Sequence, residues 1–138
     1  MDIEKKDVKL LINNTNMITK ELLIIEDLPE EPDLIILKIK IGDKCIRCSH
    51  DNYFSALIDV RKHLEKENIQ IMCNGAAKNV YPSAMQFDMG NTRKAYKLYL
   101  AQSPKMADMV DIFEYEEGLE FVSIDKQIQF FNQWADIS

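Results

Sequence analysis

Three cysteines and a histidine are the residues whose types and spacing most suggest chemistry in this chain. Cys45 and Cys48 form a C-x-x-C pair, and His50 and Cys73 follow them. Cysteine pairs with further Cys or His residues are a known zinc-ligand pattern, and in redox proteins the pair normally opens a helix. Here the pair lies in "LIILKIKIGDKCIRC", whose alternation predicts strands, where residues three apart point to opposite faces. We therefore expect no metal or redox site and interpret these cysteines as small apolar residues.

Cys73 also ends a predicted strand, "IQIMC", just before a loop, where α/β enzymes often place a nucleophile. A catalytic thiol needs a histidine base beside it, and the chain has only His50 and His63. His50 precedes a predicted helix and His63 lies within it among charged residues. Because neither histidine is directed at Cys73, we predict no catalytic residue and no cofactor, and we favour a binding protein over an enzyme.

The segment 73–91, "CNGAAKNVYPSAMQFDMGN", is the most distinctive stretch of the chain. Pro82 and Ser83 predict the start of a short helix over 82–89, which Gly90 ends. A helix N-terminus with nearby cations attracts anions, although the phosphate-loop patterns G-x-x-x-x-G-K-[ST] and G-x-G-x-x-G are both absent. The alternative is a packed connection without a ligand. If the segment binds a small anion or nucleotide, the candidate ligand-binding residues are Cys73, Asn74, Lys78, Ser83 and Arg93.

Charge is unevenly distributed along the chain, whose formal net charge is −6. Residues 74–105 hold five basic residues against Asp88 alone, a net of +4, whereas residues 106–125 hold seven acidic residues and no basic one. Nucleic-acid binding depends on a basic surface that neutralises phosphates, so we expect no nucleic-acid partner.

The acidic run "DMVDIFEYEEGLE" alternates carboxylates with apolar residues. It does not match the calcium loop D-x-[DN]-x-[DN]-G, and its spacing does not favour paired catalytic carboxylates. One interpretation is a solvated strand face, and the other is an acidic patch that binds a basic protein partner, with Tyr115 as an aromatic anchor. The candidate partner-binding residues are Asp108, Asp111, Glu114, Tyr115, Glu116, Glu117 and Glu120.

Several features bear on the cellular compartment. The longest apolar run, "LIILKIKI", contains two lysines, so no segment is predicted to span a membrane. The N-terminus lacks the apolar core of a secretory signal, and three cysteines, an odd number, favour reduced thiols. We therefore expect a cytoplasmic protein without a membrane partner.

The elements that must position these residues form a single α+β domain over residues 1–138, with a mostly antiparallel sheet. Gly42-Asp43 predicts a two-residue hairpin in which Leu37 faces Cys48 and Ile39 faces Ile46, with the opposite face cationic near the turn. Further strands are predicted in "IQIMC", in "KAYKLYL" and around Gly118. The first thirty residues fit either a strand ending at Pro29 or a helical turn followed by a strand.

Two longer helices complete the prediction. The first covers 51–67, with Ser49 or Asp51 as its N-cap and an apolar stripe of Tyr53, Leu57, Val60 and Leu64. The second covers 124–135 after a Ser123 N-cap, with an apolar stripe of Ile124, Ile128, Phe131 and Ala135. A further alternative is an assembly subunit in which "MITKELLII" or "LIILKIKI" supplies an edge strand for self-association.

The block "CNGAAKNVYPSAMQFDMGNTRKAYKL" resembles a block of small uncharacterised bacterial proteins, some of them encoded beside polymorphic or contact-dependent toxins as immunity proteins. The resemblance covers residues 73–98 and carries no catalytic signature. It implies a cytoplasmic, non-catalytic inhibitor that binds a toxin domain and occludes its functional surface. The alternative to this hypothesis is a small-ligand or enzymatic domain centred on residues 73–93.

Overall fold

Two antiparallel sheets and three helices form an α+β fold in the computed structural model, which describes residues 1–137. The main sheet has the strand order β4-β3-β2-β1-β5, and a smaller sheet has the order β6-β7-β8. The elements, in chain order, are β1 Asp2–Ile12, β2 Asn16–Glu26, β3 Ile35–Ile41, β4 Lys44–His50, α1 Tyr53–Lys66, β5 Ile69–Met72, β6 Val80–Tyr81, α2 Ala84–Asp88, β7 Lys94–Lys97, β8 Met109–Asp111 and α3 Ile124–Ile137.

The first thirty residues form the longest hairpin of the structure, β1 with β2. Its ladder runs from Asp2 opposite Glu26 to Ile12 opposite Asn16. Asn13 and Asn14 turn the chain with φ of 53° and 61°, a left-handed conformation that asparagine tolerates better than most residues. The strand predicted to end at Pro29 is therefore present as β2, although it ends at Glu26, and the helical-turn alternative is wrong. The sequence prediction did not include β1.

The β3–β4 hairpin has the predicted register. Leu37 lies opposite Cys48 and Ile39 opposite Ile46, and Gly42 has a φ of 59° at the turn. These four inward residues are buried, whereas Lys40 and Arg47 on the other face are exposed. The prediction of one apolar face and one cationic face is therefore confirmed.

Helix α1 packs its apolar side on the inner face of the main sheet, with Phe54, Leu57 and Leu64 fully buried. Its N-cap is Asn52, whose side-chain oxygen accepts a hydrogen bond of 2.9 Å from the Ser55 amide. The predicted caps, Ser49 and Asp51, are wrong, since Ser49 belongs to β4 and Asp51 precedes the cap. The predicted helix over 51–67 is present as Tyr53–Lys66, two residues shorter at its start.

The distinctive segment 73–91 contains both β6 of the small sheet and α2. Ser83 and Gln86 form a reciprocal capping box at the start of α2, because each side chain accepts a hydrogen bond from the other residue's amide. Gly90 follows the helix with a φ of 65°. The short helix predicted over 82–89 is therefore confirmed. Strand β7 is shorter than predicted and ends at Lys97, with Leu98 buried but Leu100 exposed beyond it.

The C-terminal helix α3 begins after Ser123, whose hydroxyl accepts a hydrogen bond of 3.3 Å from the Lys126 amide, as predicted. The predicted apolar stripe is wrong at Ile128 and Ala135, both of which are exposed. The helix instead contacts the domain through Ile124 and Gln127, which are buried, and through the partly buried Phe131 and Trp134. Among residues 1–137, none of the helices has the length and apolar character needed to cross a membrane.

Candidate functional site

The loop after β5 is fixed by main-chain hydrogen bonds to the chain that follows β8. The Asn74 amide donates to the Glu114 carbonyl and the Gly75 amide to the Ile112 carbonyl, each at 2.8 Å. The Asn74 side-chain amide also donates to the Asp111 carbonyl at 3.0 Å. A Cβ atom on Gly75 would lie 2.5 Å from Leu57 Cδ2 and 2.9 Å from Ile112 Cβ, so only glycine fits here. The first residues of this loop, Asn74 and Gly75, therefore form a packed connection.

Arg61 and Gln127 hold the same loop from the opposite side. Arg61 is 1% exposed and donates to the carbonyls of Gly75 (3.3 Å) and Val122 (2.9 Å) and to Gln127 Oε1 (2.5 Å). The Gln127 amide donates in turn to the carbonyls of Gly75, Ala77 and Val80 at 2.8–3.0 Å. Burial lowers the pKa of the Arg61 guanidinium.

The apolar stripe predicted for this helix does not include Arg61, yet its side chain is buried. Arg61 directly follows Val60 of the predicted stripe, so helical periodicity gives only a weak indication that it is buried. Its carbonyl partners belong to residues 14 and 61 positions away in the chain, which helical periodicity does not report.

Cys73 lies beneath this loop and is 1% exposed. Burial raises the pKa of its thiol to about 11, although Arg61 opposes that shift. A protonated thiol without solvent access is a poor nucleophile. Of the two histidines, His50 is hydrogen-bonded to Asp51 and His63 is exposed on α1.

The other cysteines occupy opposite faces of β4, with Cys45 exposed and Cys48 buried. This is the geometry that strand alternation predicts, and it separates the two thiols of the C-x-x-C pair. Among residues 1–137, potential metal-ligating side chains lie close together in one group of three, Asp2, Glu26 and Asp27. This group contains no cysteine.

The candidate ligand-binding residues have separate roles in the structure. Cys73 and Asn74 are buried, Ser83 caps α2, and Lys78 is exposed with its ammonium 5.9 Å from the Phe130 ring centroid. The Arg93 guanidinium binds both carboxylate oxygens of Glu4, at 2.7 and 2.8 Å, and its Nε lies 3.1 Å from Asp111 Oδ2. Arg93 and Asn74 therefore meet at Asp111, through its carboxylate and its carbonyl respectively.

The acidic segment 108–120 divides into paired and unpaired carboxylates. Asp111 pairs with Arg93, Glu114 with Lys6, and Glu116 with Lys97 at 3.0 Å. Pairing raises the pKa of both lysines, chiefly through the hydrogen bonds from their ammonium groups. These pairs fix the segment against β1 and β7. Within segment 108–120, the carboxylates that form no ion pair with residues 1–137 are those of Asp108, Glu117 and Glu120.

Tyr115 lies among these carboxylates and is 40% exposed. Its ring stacks on Phe121, with centroids 5.6 Å apart and planes inclined by 27°. The Lys9 ammonium lies 3.9 Å from the centre of the same ring. Contacts from two residues therefore hold this exposed aromatic side chain in position.

Comparison with known proteins gives no family for the chain. No protein-family model matches it, and no curated protein matches it either.

Proposed function

We propose that this chain is a cytoplasmic, non-catalytic binding protein that acts as an immunity protein and occludes the functional surface of a bacterial toxin domain. The observation that carries the proposal is the exposed Tyr115 ring, held by Phe121 and Lys9 beside unpaired carboxylates. Tyrosine is enriched among the residues that dominate binding energy at protein interfaces. A side chain already fixed in the free protein loses little conformational entropy when a partner binds.

The unpaired carboxylates supply the charge for partner recognition. Asp108, Glu117 and Glu120 are free to meet a basic surface, whereas Asp111, Glu114 and Glu116 are neutralised by their own chain. Unpaired surface charges accelerate the encounter with a partner of opposite charge, and this effect weakens with salt. The paired carboxylates keep the segment rigid, so the two groups have different roles in the proposed interface.

The test begins with copurification of the tagged protein from its native host, followed by mass spectrometry and by association rates with the isolated partner. Glu117→Lys is expected to slow association by on the order of tenfold at low salt and to reduce its salt dependence. Glu30→Lys, an equal charge change at an exposed residue in the β2–β3 connection, is the control. If Glu117→Lys associates at the wild-type rate at every salt concentration, the acidic surface is not the interface.

The alternative function, a small-ligand or enzymatic site over residues 73–93, has less support. Its strongest cation, Arg93, already binds two carboxylates, and the Cys73 thiol is buried. An anion at this site would have to compete with Glu4 and Asp111 for the guanidinium. A thermal-shift titration with phosphate that stabilises wild type but not Lys78→Gln would favour this alternative.

A further inference from the structure

The main sheet opens between β2 and β3. Their ladder ends at Leu22 opposite Ile39, although β3 continues with β4 as far as Ile41 opposite Lys44. Strand β2 likewise continues with β1 as far as Asn16. The tip of the β3–β4 hairpin therefore separates from β2 and leaves a groove of about 510 Å³ between the diverging strands.

The groove is basic, in a chain whose net charge is −6. Its lining includes Lys20, Lys38 and Lys40, with Glu21 as the opposing charge, a net of +2 from three cations and one anion. Lys20 and Lys38 are partly buried, and none of the three lysines forms an ion pair within residues 1–137. By contrast, the basic residues that do form ion pairs with carboxylates are Lys6, Lys44, Arg47, Lys62, Arg93 and Lys97.

The three lysine side chains that line the groove carry like charges, which repel one another when they lie close together. An acidic protein has ample carboxylates to compensate them, and it does so for six other basic side chains. What distinguishes the groove is that three such cations line one concave surface with a single carboxylate, so an anionic ligand there would meet several cations at once.

We propose that this groove binds a compact polyanion, namely an oligophosphate group such as that of a nucleoside polyphosphate or of inorganic polyphosphate. The volume lies within the range of small-molecule sites, roughly 300–1,000 Å³. Lysine ammonium groups bind phosphate as mobile point charges and impose no planar geometry. The net charge of the groove is matched by a ligand with at least two negative charges, and Leu23 gives the site an apolar wall.

Cys45 provides a built-in reporter of occupancy because it lies in the groove and is exposed. The other two cysteines, Cys48 and Cys73, are buried. A neutral thiol reagent such as N-ethylmaleimide should therefore modify Cys45 selectively in the folded protein. A ligand in the groove should slow that reaction.

The experiment measures the rate of Cys45 alkylation in the full chain at constant ionic strength, with tripolyphosphate, ATP or orthophosphate added. Tripolyphosphate and ATP are expected to protect Cys45, and orthophosphate is expected to protect it less at equal concentration. Protection by both tripolyphosphate and ATP identifies their shared phosphate chain as the ligand group. If ATP protects Cys45 and tripolyphosphate does not, that assignment is overturned. Unfolding curves without ligand verify that each variant is folded.

Charge variants test whether protection arises in the groove. Lys38→Gln and Lys40→Gln should each raise the half-protecting concentration on the order of tenfold, as loss of one charge-assisted contact implies. Glu21→Gln should lower that concentration. Lys105→Gln removes an exposed charge in the loop between β7 and β8, outside the groove lining, and should leave that concentration unchanged.

Three results would overturn the proposal. The first is the absence of protection by any phosphate compound. The second is an equal effect of Lys105→Gln and Lys38→Gln, which would indicate general charge screening. The third is protection by an oligoglutamate peptide or a single-stranded oligonucleotide but not by tripolyphosphate, which would assign the groove to a macromolecule. The groove shares no residue with the surface around Tyr115, so failure here leaves the proposed function untouched, and the reverse also holds.

Discussion

Arg93 binds the Glu4 carboxylate through two hydrogen bonds of 2.7 and 2.8 Å, which join the beginning of β1 to the residue just before β7. The same guanidinium pairs with Asp111 of β8 and lies 5.4 Å from the Phe113 ring centroid. One side chain therefore connects the main sheet to the small sheet and to the start of the acidic segment. The pairs between Lys6 and Glu114 and between Lys97 and Glu116 strengthen the same connection.

Arg93→Ala should destabilise the fold by about 1–3 kcal/mol, because it removes charge-assisted hydrogen bonds at a partly buried site. It leaves Asp111 without an ion pair and Glu4 with Lys6 alone, at 3.9 Å. Urea unfolding followed by circular dichroism measures the change. Lys62→Ala is the matched control, since its pair with Asp59 is 3.9 Å long and the Lys62 side chain is 63% exposed. The control should change stability by less than about 0.5 kcal/mol. Equal losses in the two variants would contradict the role assigned to Arg93.

The Arg93–Glu4 pair should also make stability depend on pH. The hydrogen bond from Arg93 lowers the pKa of Glu4 below its ordinary value of 4.5, so the folded state favours the ionised carboxylate. This contribution is present above pH 4.5 and is lost as the pH falls through the lower folded-state pKa.

Unfolding free energies of wild type and Glu4→Gln, measured from pH 7 to pH 3, test this dependence. Glu4→Gln should be less stable at pH 7, and the difference from wild type should shrink toward pH 3. Other carboxylates titrate in both proteins, so only the difference is interpreted. A difference that stays constant across this range would exclude the Glu4 carboxylate as its source.

The buried Arg61 side chain should be irreplaceable even by lysine. Arg61→Lys keeps a charge, but a single ammonium group cannot reproduce the forked donors that reach Val122, Gly75 and Gln127. We expect a loss of about 2–4 kcal/mol, because the Val122 carbonyl and Gln127 Oε1 compete for one donor group, although the Gly75 carbonyl keeps its hydrogen bond from Gln127. Hydrogen exchange should show faster exchange of the Ala76 and Val122 amides. Wild-type stability in Arg61→Lys would show that the charge alone suffices.

Gly75→Ala should cost about 1–3 kcal/mol through overpacking, since the added Cβ meets Leu57 and Ile112 inside the core. Thermal unfolding measures the loss. Ser103→Ala, a small change in an exposed loop, is the control and should leave the melting temperature unchanged. A melting temperature of Gly75→Ala equal to that of wild type would mean that the loop can move away from α1 at no cost.

Local signals explain which parts of the fold were predictable. The β3–β4 register follows from Gly42-Asp43, and the start of α2 follows from Pro82-Ser83, because in each case the deciding residues are neighbours in the chain. Strand β1 was missed because its first half, "DIEKKD", is charged and mostly exposed, so it has no apolar alternation. The pairing of β1 is set by β2, a strand that the sequence does predict.

Long-range contacts explain the remaining errors and omissions. The paired or unpaired state of each acidic residue depends on Lys6, Arg93 and Lys97, of which Lys6 lies 108 positions from Glu114. The cationic face near the Gly42 turn was predicted, but the groove beside it depends on where the β2–β3 ladder ends. The residue at which that ladder ends cannot be predicted from the hydrophobic periodicity of a single segment.

The affinity of the native protein partner for Tyr115→Ala tests the central claim most directly. With the partner isolated from the host, isothermal titration should show Kd raised on the order of 30-fold or more, the loss expected for an aromatic hot spot. Tyr99→Ala removes another exposed tyrosine, 42% exposed and outside the acidic segment, and should leave Kd within about threefold of wild type. A folded Tyr115→Ala variant that binds the partner with wild-type affinity would contradict the account.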